Sequence, residues 1–190
     1  SSQQGGEYGV KAIYFFKSKS DANLFTYKEE KSRILLGGVD VNEYTIVLPE
    51  DAVKREYDCA KTLQSMMYRI CGTLLPIVTD SATPEKKYEI LIGKTNRSAS
   101  KTAYEMYQAP DADIGAYSLK LTDGKLVFAA FYNPGLEDLV SKFGETYLLD
   151  SKDELSDKLV IESAEISGTR SGTAFLEKYT KWKDMDNVEN

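Results

Sequence analysis

The chain has 190 residues, of which 42% are hydrophobic and 28% are charged, an ordinary composition for a globular domain. This length predicts one medium-sized domain, with or without long tails, that buries roughly 70% of its unfolded surface. The net charge of −6 argues against a nucleic-acid or anionic-membrane partner, because both require a basic face.

The sequence contains no histidine. Histidine is the commonest general base and the commonest zinc ligand, so its absence excludes the Ser-His-Asp and Cys-His catalytic schemes. No stretch reaches the roughly 18 consecutive apolar residues of a membrane span, so none is predicted. The chain opens on Ser1 without a methionine, which is typical of a processed or trimmed start. The absence of a signal segment therefore carries no weight.

The first 36 residues predict an N-terminal extension made of a strand and a hairpin arm. Val10–Lys17 is rich in apolar and aromatic residues, as strands are. Ala22–Gly38 predicts a second strand or hairpin arm that ends at the glycine pair.

The segment from residue 43 to residue 72 has the most regular pattern of the chain. Glu43–Pro49 predicts a strand closed by proline, and the acidic pair Glu50 and Asp51 follows where a helix N-terminus favours negative charge. The next apolar residues recur at spacings of three and four and predict one buried helical face: Val53, Tyr57, Ala60, Leu63, Met67 and Ile70. Gly72 follows as the C-terminal stop of this helix.

The two cysteines, Cys59 and Cys71, both fall on this predicted helix. Their separation along a helix is roughly 18 Å, at 1.5 Å per residue. A disulfide requires Cα atoms about 4.4–6.8 Å apart, so no disulfide is predicted between them. We expect two small apolar core residues that say nothing about the redox compartment.

Two short strands follow the helix. Leu74–Asp80 and Tyr88–Gly93 are both apolar, and the second has the continuous apolar run of a strand buried on both faces. The polar residues after Gly93 predict a loop excursion with a helical turn around Ser98–Tyr107.

A hairpin and a second amphipathic helix complete the pattern. Residues 116–131 alternate around the turn Asp123-Gly124. The second helical face is traced by Leu136, Leu139, Val140, Phe143 and Tyr147. A last strand is predicted over Lys158–Ile166. The order of elements predicts an α+β fold, a small mixed β-sheet with two amphipathic helices packed on one face.

Candidate chemistry is sparse. Asp111 and Asp113 form a carboxylate pair, but no calcium-loop pattern follows them, so a solvated loop is the simpler interpretation. The run Gly93-Lys94-Thr95 lacks the glycine that a phosphate-binding P-loop requires ahead of it. We therefore expect no catalytic residue set, no metal site and no cofactor.

Two loops have the residue types of a sugar-binding surface. Asn96 and Arg97 follow one strand, and Tyr132 and Asn133 follow another. Aromatic rings stack on sugar faces, and amide and guanidinium groups hydrogen-bond to hydroxyls. If the two strands are parallel and close, both loops lie along one edge of the sheet, and the alternative is that they are ordinary loop residues.

Five segments of residues 37–149, taken in order, resemble a known module. They are GGVDVNEYTIVLPEDA, the helix with Cys59-Ala60 on its inner face, ICGTLLPIVTD, KKYEILIGKTNR and AYSLKLTDGKLVFAAF with the helix after it. Together they are similar to the non-catalytic N-terminal α+β domain of large bacterial glycoside hydrolases of the β-hexosaminidase and α-glucuronidase type. Ala129-Ala130 departs from the Gly-Gly of that family.

The resemblance implies domain boundaries at residues 1–36, 37–150 and 151–190, and an extracellular or cell-surface location. In that family catalysis belongs to a following barrel of roughly 250 residues, whereas only about 40 residues follow Tyr147 here. The expected function is a non-catalytic accessory domain of a carbohydrate-processing protein, whose partner is a neighbouring domain or protein. The alternatives are a stand-alone carbohydrate-binding module and a glycoside hydrolase that uses carboxylates alone.

Overall fold

A computed structural model describes residues 31–109, 112–149 and 158–170. Within them, the strands are β1 (Arg33–Leu36), β2 (Val39–Asp40), β3 (Thr45–Leu48), β4 (Ile77–Thr79), β5 (Glu89–Ile92), β6 (Ala116–Thr122), β7 (Lys125–Ala130), β8 (Lys158–Ile161) and β9 (Glu165–Thr169). The helices are α1 (Lys54–Cys71), α2 (Ser98–Glu105) and α3 (Pro134–Phe143), with 3-10 turns at Val41–Glu43 and Met106–Gln108 and a π-helical turn at Gly144–Leu149. The predicted strand Val10–Lys17 and Asp111 lie outside the described residues.

The main sheet has six strands in the order β4-β3-β5-β7-β6-β9. The first four strands are mutually parallel, and β6 runs antiparallel to both of its neighbours. Every residue of β5 and β7 is buried, as expected of central strands covered on both faces. The α+β fold with a mixed sheet is therefore confirmed.

The two long helices, α1 and α3, pack on one face of this sheet, as predicted. Their buried residues, among them Leu63, Met67, Leu139 and Phe143, join the sheet residues of a single large core. The third helix, α2, which the sequence predicted only as a helical turn, covers the opposite face through Ala99 and Ala103. The sheet is thus covered on both sides over its parallel half.

The buried face of α1 differs from the predicted face at its N-terminal end. Val53 is 48% exposed and Tyr57 is 37% exposed, whereas Glu56 and Cys59 point into the protein. The physical reason is that α1 begins only at Lys54, with Val53 as its capping residue. The buried face of its first turns is therefore formed by Glu56 and Cys59 and not by Val53 and Tyr57. The predicted stop is confirmed, because Gly72 has a φ of 72° and its N–H donates to Tyr68 O.

The hairpin β6–β7 turns at Asp123-Gly124, as predicted, and both residues have positive φ, which is typical of a two-residue type I′ turn. The predicted single strand Lys158–Ile166 is wrong. It is two strands that belong to different sheets, because the buried Ala164 accepts a hydrogen bond from Leu121 N and the chain passes between the sheets there.

A second, three-stranded sheet has the order β2-β1-β8, with β1 and β8 parallel. Its residues Ile34, Leu36 and Ile161 are buried in the same core as the main sheet. The two sheets therefore share one hydrophobic core.

Candidate functional site

The carboxyl ends of the parallel strands bring the predicted site loops to one edge of the sheet. Strands β5 and β7 are parallel neighbours in the register Ile92 with Phe128. The loop that carries Asn96 and Arg97 and the loop that carries Tyr132 and Asn133 follow these strands. The two strands are therefore parallel and adjacent, which is the condition for their loops to share one edge. We refer to the region of these loops as the carboxyl edge.

Asn96 is exposed and its conformation is held by Asp80, the residue that follows β4. The Asn96 backbone N–H donates to Asp80 Oδ2 at 2.5 Å, and Asn96 Nδ2 donates to Asp80 O at 3.4 Å. Asn96 Oδ1 accepts a hydrogen bond of 2.9 Å from Arg97. The amide side chain is therefore fixed in place at the surface.

Arg97 lies beneath this surface rather than on it, with 5% of its side chain exposed. Its Nη1 donates to Asp80 O at 3.1 Å and its Nη2 donates to Thr83 O at 2.8 Å. Its Nε lies 3.4 Å from Glu89 Oε1, although the geometry is not that of a hydrogen bond. Arg97 thus ties the connection after β4 to the loop after β5, and it can orient Asn96.

A row of buried polar side chains at the amino ends of three strands was not foreseen from the sequence. Thr45, Glu89 and Lys125 are adjacent in the register of β3, β5 and β7. Lys125 Nζ donates to Glu89 Oε2 at 2.7 Å and also to the Lys86 carbonyl, and it lies 3.2 Å from Glu85. These buried charges are paired, as buried charges must be. One signal in the sequence could have indicated this row, namely the acidic residue Glu89 at the start of an otherwise apolar strand.

Tyr132 and Asn133 are half-buried at the start of α3. The Tyr132 carbonyl accepts a hydrogen bond from Gly135 N and the Asn133 carbonyl accepts one from Leu136 N. Asn133 already has helical backbone angles, and its side chain makes no capping hydrogen bond. Both side chains belong to the same edge of the sheet as Asn96.

Glu56 is a further buried acid at the carboxyl edge, and it was missed because its position looked like the solvent side of α1. Its Oε2 accepts a hydrogen bond of 2.9 Å from Val53 N, which caps the helix. Burial raises the pKa of Glu56, the hydrogen bond from Val53 lowers it, and the charge of Asp51 raises it further. A glutamate three residues after the capping residue was the available signal.

The cysteines are free, as the spacing predicted. Cys59 is buried, and burial together with the Glu137 charge raises the pKa of its thiol to about 12. The thiol is protonated at neutral pH, so Cys59 behaves as a core residue rather than a nucleophile.

A groove of about 290 Å³ runs along the outer side of α1. Its described lining residues all belong to this one helix: Lys61, Thr62, Ser65, Met66 and Arg69. The groove does not include the loops of the carboxyl edge.

No described helix is both long and apolar enough to cross a membrane. Across the described ranges, no three Cys, Asp or Glu side chains come together as a group that could hold a metal ion. Neither the models of known protein families nor the curated proteins include a match to this chain. The assignment of function therefore depends on the residues and their geometry.

Proposed function

We propose that this chain is a non-catalytic accessory domain of a secreted or cell-surface bacterial protein that takes part in carbohydrate processing. The five ordered segments that resemble the N-terminal domain of bacterial glycoside hydrolases support this proposal. They fall on β3, α1, β4, β5 and the hairpin with α3, which are the elements of one α+β layer structure.

The observation that carries the proposal is that the buried charges near the sheet connect loops of the protein itself. Arg97 and Lys125 donate hydrogen bonds to backbone carbonyls, Lys125 also donates to Glu89, and Glu89 Oε1 lies 3.4 Å from Arg97 Nε. These charges hold loops together. A catalytic acid or base must instead reach a substrate proton within hydrogen-bond distance. The arrangement is that of a scaffold.

An accessory domain needs a surface that packs against its neighbour. Tyr57 and Tyr68 are eleven residues apart on α1, which is three helical turns, so they lie on one flank of the helix. They are 37% and 47% exposed, and Leu74 beyond the end of the helix is 64% exposed. We propose that this flank, Tyr57, Tyr68 and Leu74, packs against the catalytic domain of the same protein.

The test has two steps. First, the reading frame around this segment should encode a domain of roughly 250 residues, as a barrel requires. Second, this chain and that domain, expressed separately, should bind each other. The double variant Tyr68→Ser, Leu74→Ser should raise the Kd at least about tenfold, or ~1.4 kcal/mol.

Val160→Ser is the matched control, because Val160 is an exposed valine on β8, a different element, and should leave the Kd unchanged. A reading frame that encodes no second domain, or a Kd unaffected by the double variant, would count against the accessory role.

A second candidate function, a carbohydrate-binding module, is favoured by one observation. The parallel pairing of β5 and β7 puts the Asn96 and Tyr132 loops on the same edge. If this edge binds a glycan, the double variant Asn96→Ala, Tyr132→Ala should abolish binding on a glycan array while Tyr68→Ala retains it. Binding that survives the double variant would exclude this edge as the site.

A further inference from the structure

The groove on the outer side of α1 combines two cations, two hydroxyl groups and one thioether side chain. Lys61, Ser65 and Arg69 follow one another at intervals of four residues, so they form one row along the helix, and all three are exposed. Thr62 and Met66 form the neighbouring row. The two cations are eight residues apart, which is about 12 Å along the helix axis. The groove therefore suits an extended ligand better than a single small ion.

Met66 provides the apolar surface of this groove, and the end of α3 lies directly against it. Gly144, the residue after α3, is so close that a Cβ atom at position 144 would lie 2.8 Å from Met66 Sδ. Met66 is half-buried and packs against the large core. Ligand pockets typically combine an apolar surface with a few polar groups, and the α1 groove has both.

The two cations of the groove form no ion pair with any acid in the described part of the chain. The other two cations of α1, Lys54 and Arg55, each pair with an acid. The positive charge of the helix is therefore neutralised in its first turns and left free at Lys61 and Arg69. Because the whole chain has a net charge of −6, this groove reverses the overall charge locally. Charge complementarity favours a negatively charged ligand here.

The acids that lie near the groove along the chain have partners of their own. Asp58 Oδ2 accepts from Lys54 Nζ at 2.5 Å, and Glu145 Oε1 accepts from Ser141 Oγ at 3.0 Å. Neither carboxylate forms an ion pair with a cation of the groove. The attraction of the groove for an anion is therefore not cancelled by a direct partner.

The two hydroxyl groups of the groove can bind a ligand that itself has hydroxyl groups. Thr62 Oγ1 donates its proton to Asp58 O at 2.8 Å, so it is left to accept a hydrogen bond from a ligand. Ser65 has an exposed hydroxyl that can both donate and accept. A ligand with hydroxyl groups and negative charges would use all of these polar groups.

We propose that this groove binds an anionic oligosaccharide. Lys61 and Arg69 bind its carboxylate or sulfate groups. Thr62 and Ser65 bind its hydroxyl groups, and Met66 packs against a sugar ring. The choice of a sugar among the anions that carry hydroxyl groups rests on the proposed function.

The position of the groove adds a role to the accessory domain. Ser65 lies three residues before Tyr68, so the two side chains are neighbours on the surface of α1. Tyr68 belongs to the flank that we propose to pack against the catalytic domain. The groove would therefore hold an acidic polysaccharide beside that catalytic domain.

The test is a calorimetric titration of the full chain at low salt with the tetramers of galacturonate, of sulfated galactose and of unmodified galactose, and with a tetraglutamate peptide. At least one of the two anionic sugars should bind at least tenfold more tightly than unmodified galactose and tetraglutamate do. The tighter of the two identifies carboxylate or sulfate as the recognised group. Raising the salt to about 0.15 M should weaken binding, because the screening length falls to about 8 Å.

Variants of the groove locate the site. Lys61→Gln and Arg69→Gln should each lower the affinity for the bound tetramer at least threefold, and the double variant at least tenfold. Lys101→Gln, which removes an exposed cation of α2, is the matched control and should bind as the wild type does. Gly144→Ala changes no charge but displaces the flexible end of Met66, so it should retain the fold and lower the affinity at least threefold.

A spectroscopic measurement on the wild type needs no variant. The NMR resonance of the Met66 methyl group should move during titration with the bound tetramer. The methyl group of Met106, which is 57% exposed in the turn after α2, should stay fixed. A Met66 resonance that does not move would overturn the site.

Four further results would also overturn the proposal. The first is that neither anionic tetramer binds, and the second is that the double variant binds unchanged. The third is that tetraglutamate binds as tightly as the sugars, which would make this a groove for acidic peptides. The fourth is that Asn96→Ala, Tyr132→Ala abolishes binding, which would place the glycan at the carboxyl edge. None of these results decides the accessory role, which depends on the binding of the separate catalytic domain.

Discussion

Buried charged side chains connect separate segments of this protein through hydrogen bonds and ion pairs. Arg97 joins the backbone after β4 to the loop after β5, and Glu89 joins β5 to Lys125 on β7. The hydrogen bonds of these side chains replace the contacts with water that burial has removed. The loss of one charged side chain therefore leaves its partners buried without a hydrogen bond.

Arg97→Ala should therefore lower the free energy of unfolding by about 3 kcal/mol, because it leaves two carbonyl groups and part of Glu89 without a buried partner. Urea unfolding measures this change. Arg33→Ala is the control, since Arg33 pairs with Asp40 at 2.8 Å with 66% of its side chain exposed, and it should cost no more than about 0.5 kcal/mol. Equal losses in the two variants would contradict the role of Arg97 as a buried tie.

Gly93 should tolerate a side chain less well than a glycine of similar backbone conformation. Gly38 has a φ of 77° and open space where a Cβ would lie, with no atom within 4 Å, whereas Gly93 combines a φ of 84° with the Glu56 carboxyl. Gly38→Ala should cost about 1 kcal/mol and Gly93→Ala about 3 kcal/mol. Adding Glu56→Ala to Gly93→Ala should return part of the loss. Thermal unfolding of the wild type, Gly93→Ala, Glu56→Ala and the double variant tests this non-additivity. Equal costs at the two glycines would show that Glu56 does not fill the space.

The stability contributed by Glu56 should depend on pH. Its pKa in the folded protein is raised above the usual 4.5, mainly by burial, so the folded state binds the proton more tightly than the unfolded state. The contribution is fully present below the unfolded pKa and is lost as pH rises through the folded pKa. The unfolding free energy of the wild type minus that of Glu56→Gln should therefore increase as the pH is lowered from 7 to 4.

Asp51→Asn provides the control for this pH dependence. The charge of Asp51 contributes to the rise, so its removal should shift the pH dependence of the Glu56 difference to lower pH. A difference between wild type and Glu56→Gln that does not change with pH would contradict a raised pKa.

Helix α1 connects most parts of the described structure. It packs on the sheet through its buried face, meets α3 through the ion pair of Arg55 with Glu137 at 3.0 Å, and ends where Ser32 N donates to Ile70 O. Its N-terminus has one weakness, because the capping residue is Val53, which has no side-chain acceptor.

Val53→Ser should stabilise the protein by about 0.5–1 kcal/mol, because a serine oxygen can accept from a free N–H of the first turn. Glu56 already bonds to the backbone of residue 53, so the serine completes a reciprocal capping box. Val160→Ser, at an exposed strand position, is the control and should give no gain. The midpoint of urea unfolding measures both, and a lower midpoint for Val53→Ser would contradict the capping argument.

The whole molecule has two sheets but one core. Ile34 and Ile161 of the small sheet pack in the same cluster as Phe128 of the main sheet and Leu63 of α1. Sheets that share a core are expected to unfold as one cooperative unit.

Ile161→Ala should lower the global stability by about 3 kcal/mol, since it removes a fully buried aliphatic side chain. Native-state hydrogen exchange should report the same loss at Phe128 in β7 as at Ile34 in β1. Val160→Ala, one residue away and exposed, should change neither by more than about 1 kcal/mol. Faster exchange confined to β1 and β8 would show that the small sheet opens independently.

The sequence determined the features that depend on neighbouring residues. The apolar spacing of Leu63 and Met67 predicted α1, the glycine at 72 predicted its end, and Asp123-Gly124 predicted the hairpin turn. These features follow from backbone periodicity and from glycine conformations, which are local properties. The α+β class followed from the order of such elements.

Only the tertiary structure decided which distant segments meet. It determined the strand order, the burial of Arg97 and Glu89 and the division of the last predicted strand between two sheets. It also determined that Glu56 lies against Gly93. These outcomes depend on pairing between strands and on packing across the sheet, which residue spacing does not encode. A buried acid and an exposed acid have the same letter in the sequence, and their difference lies in what the fold places beside them.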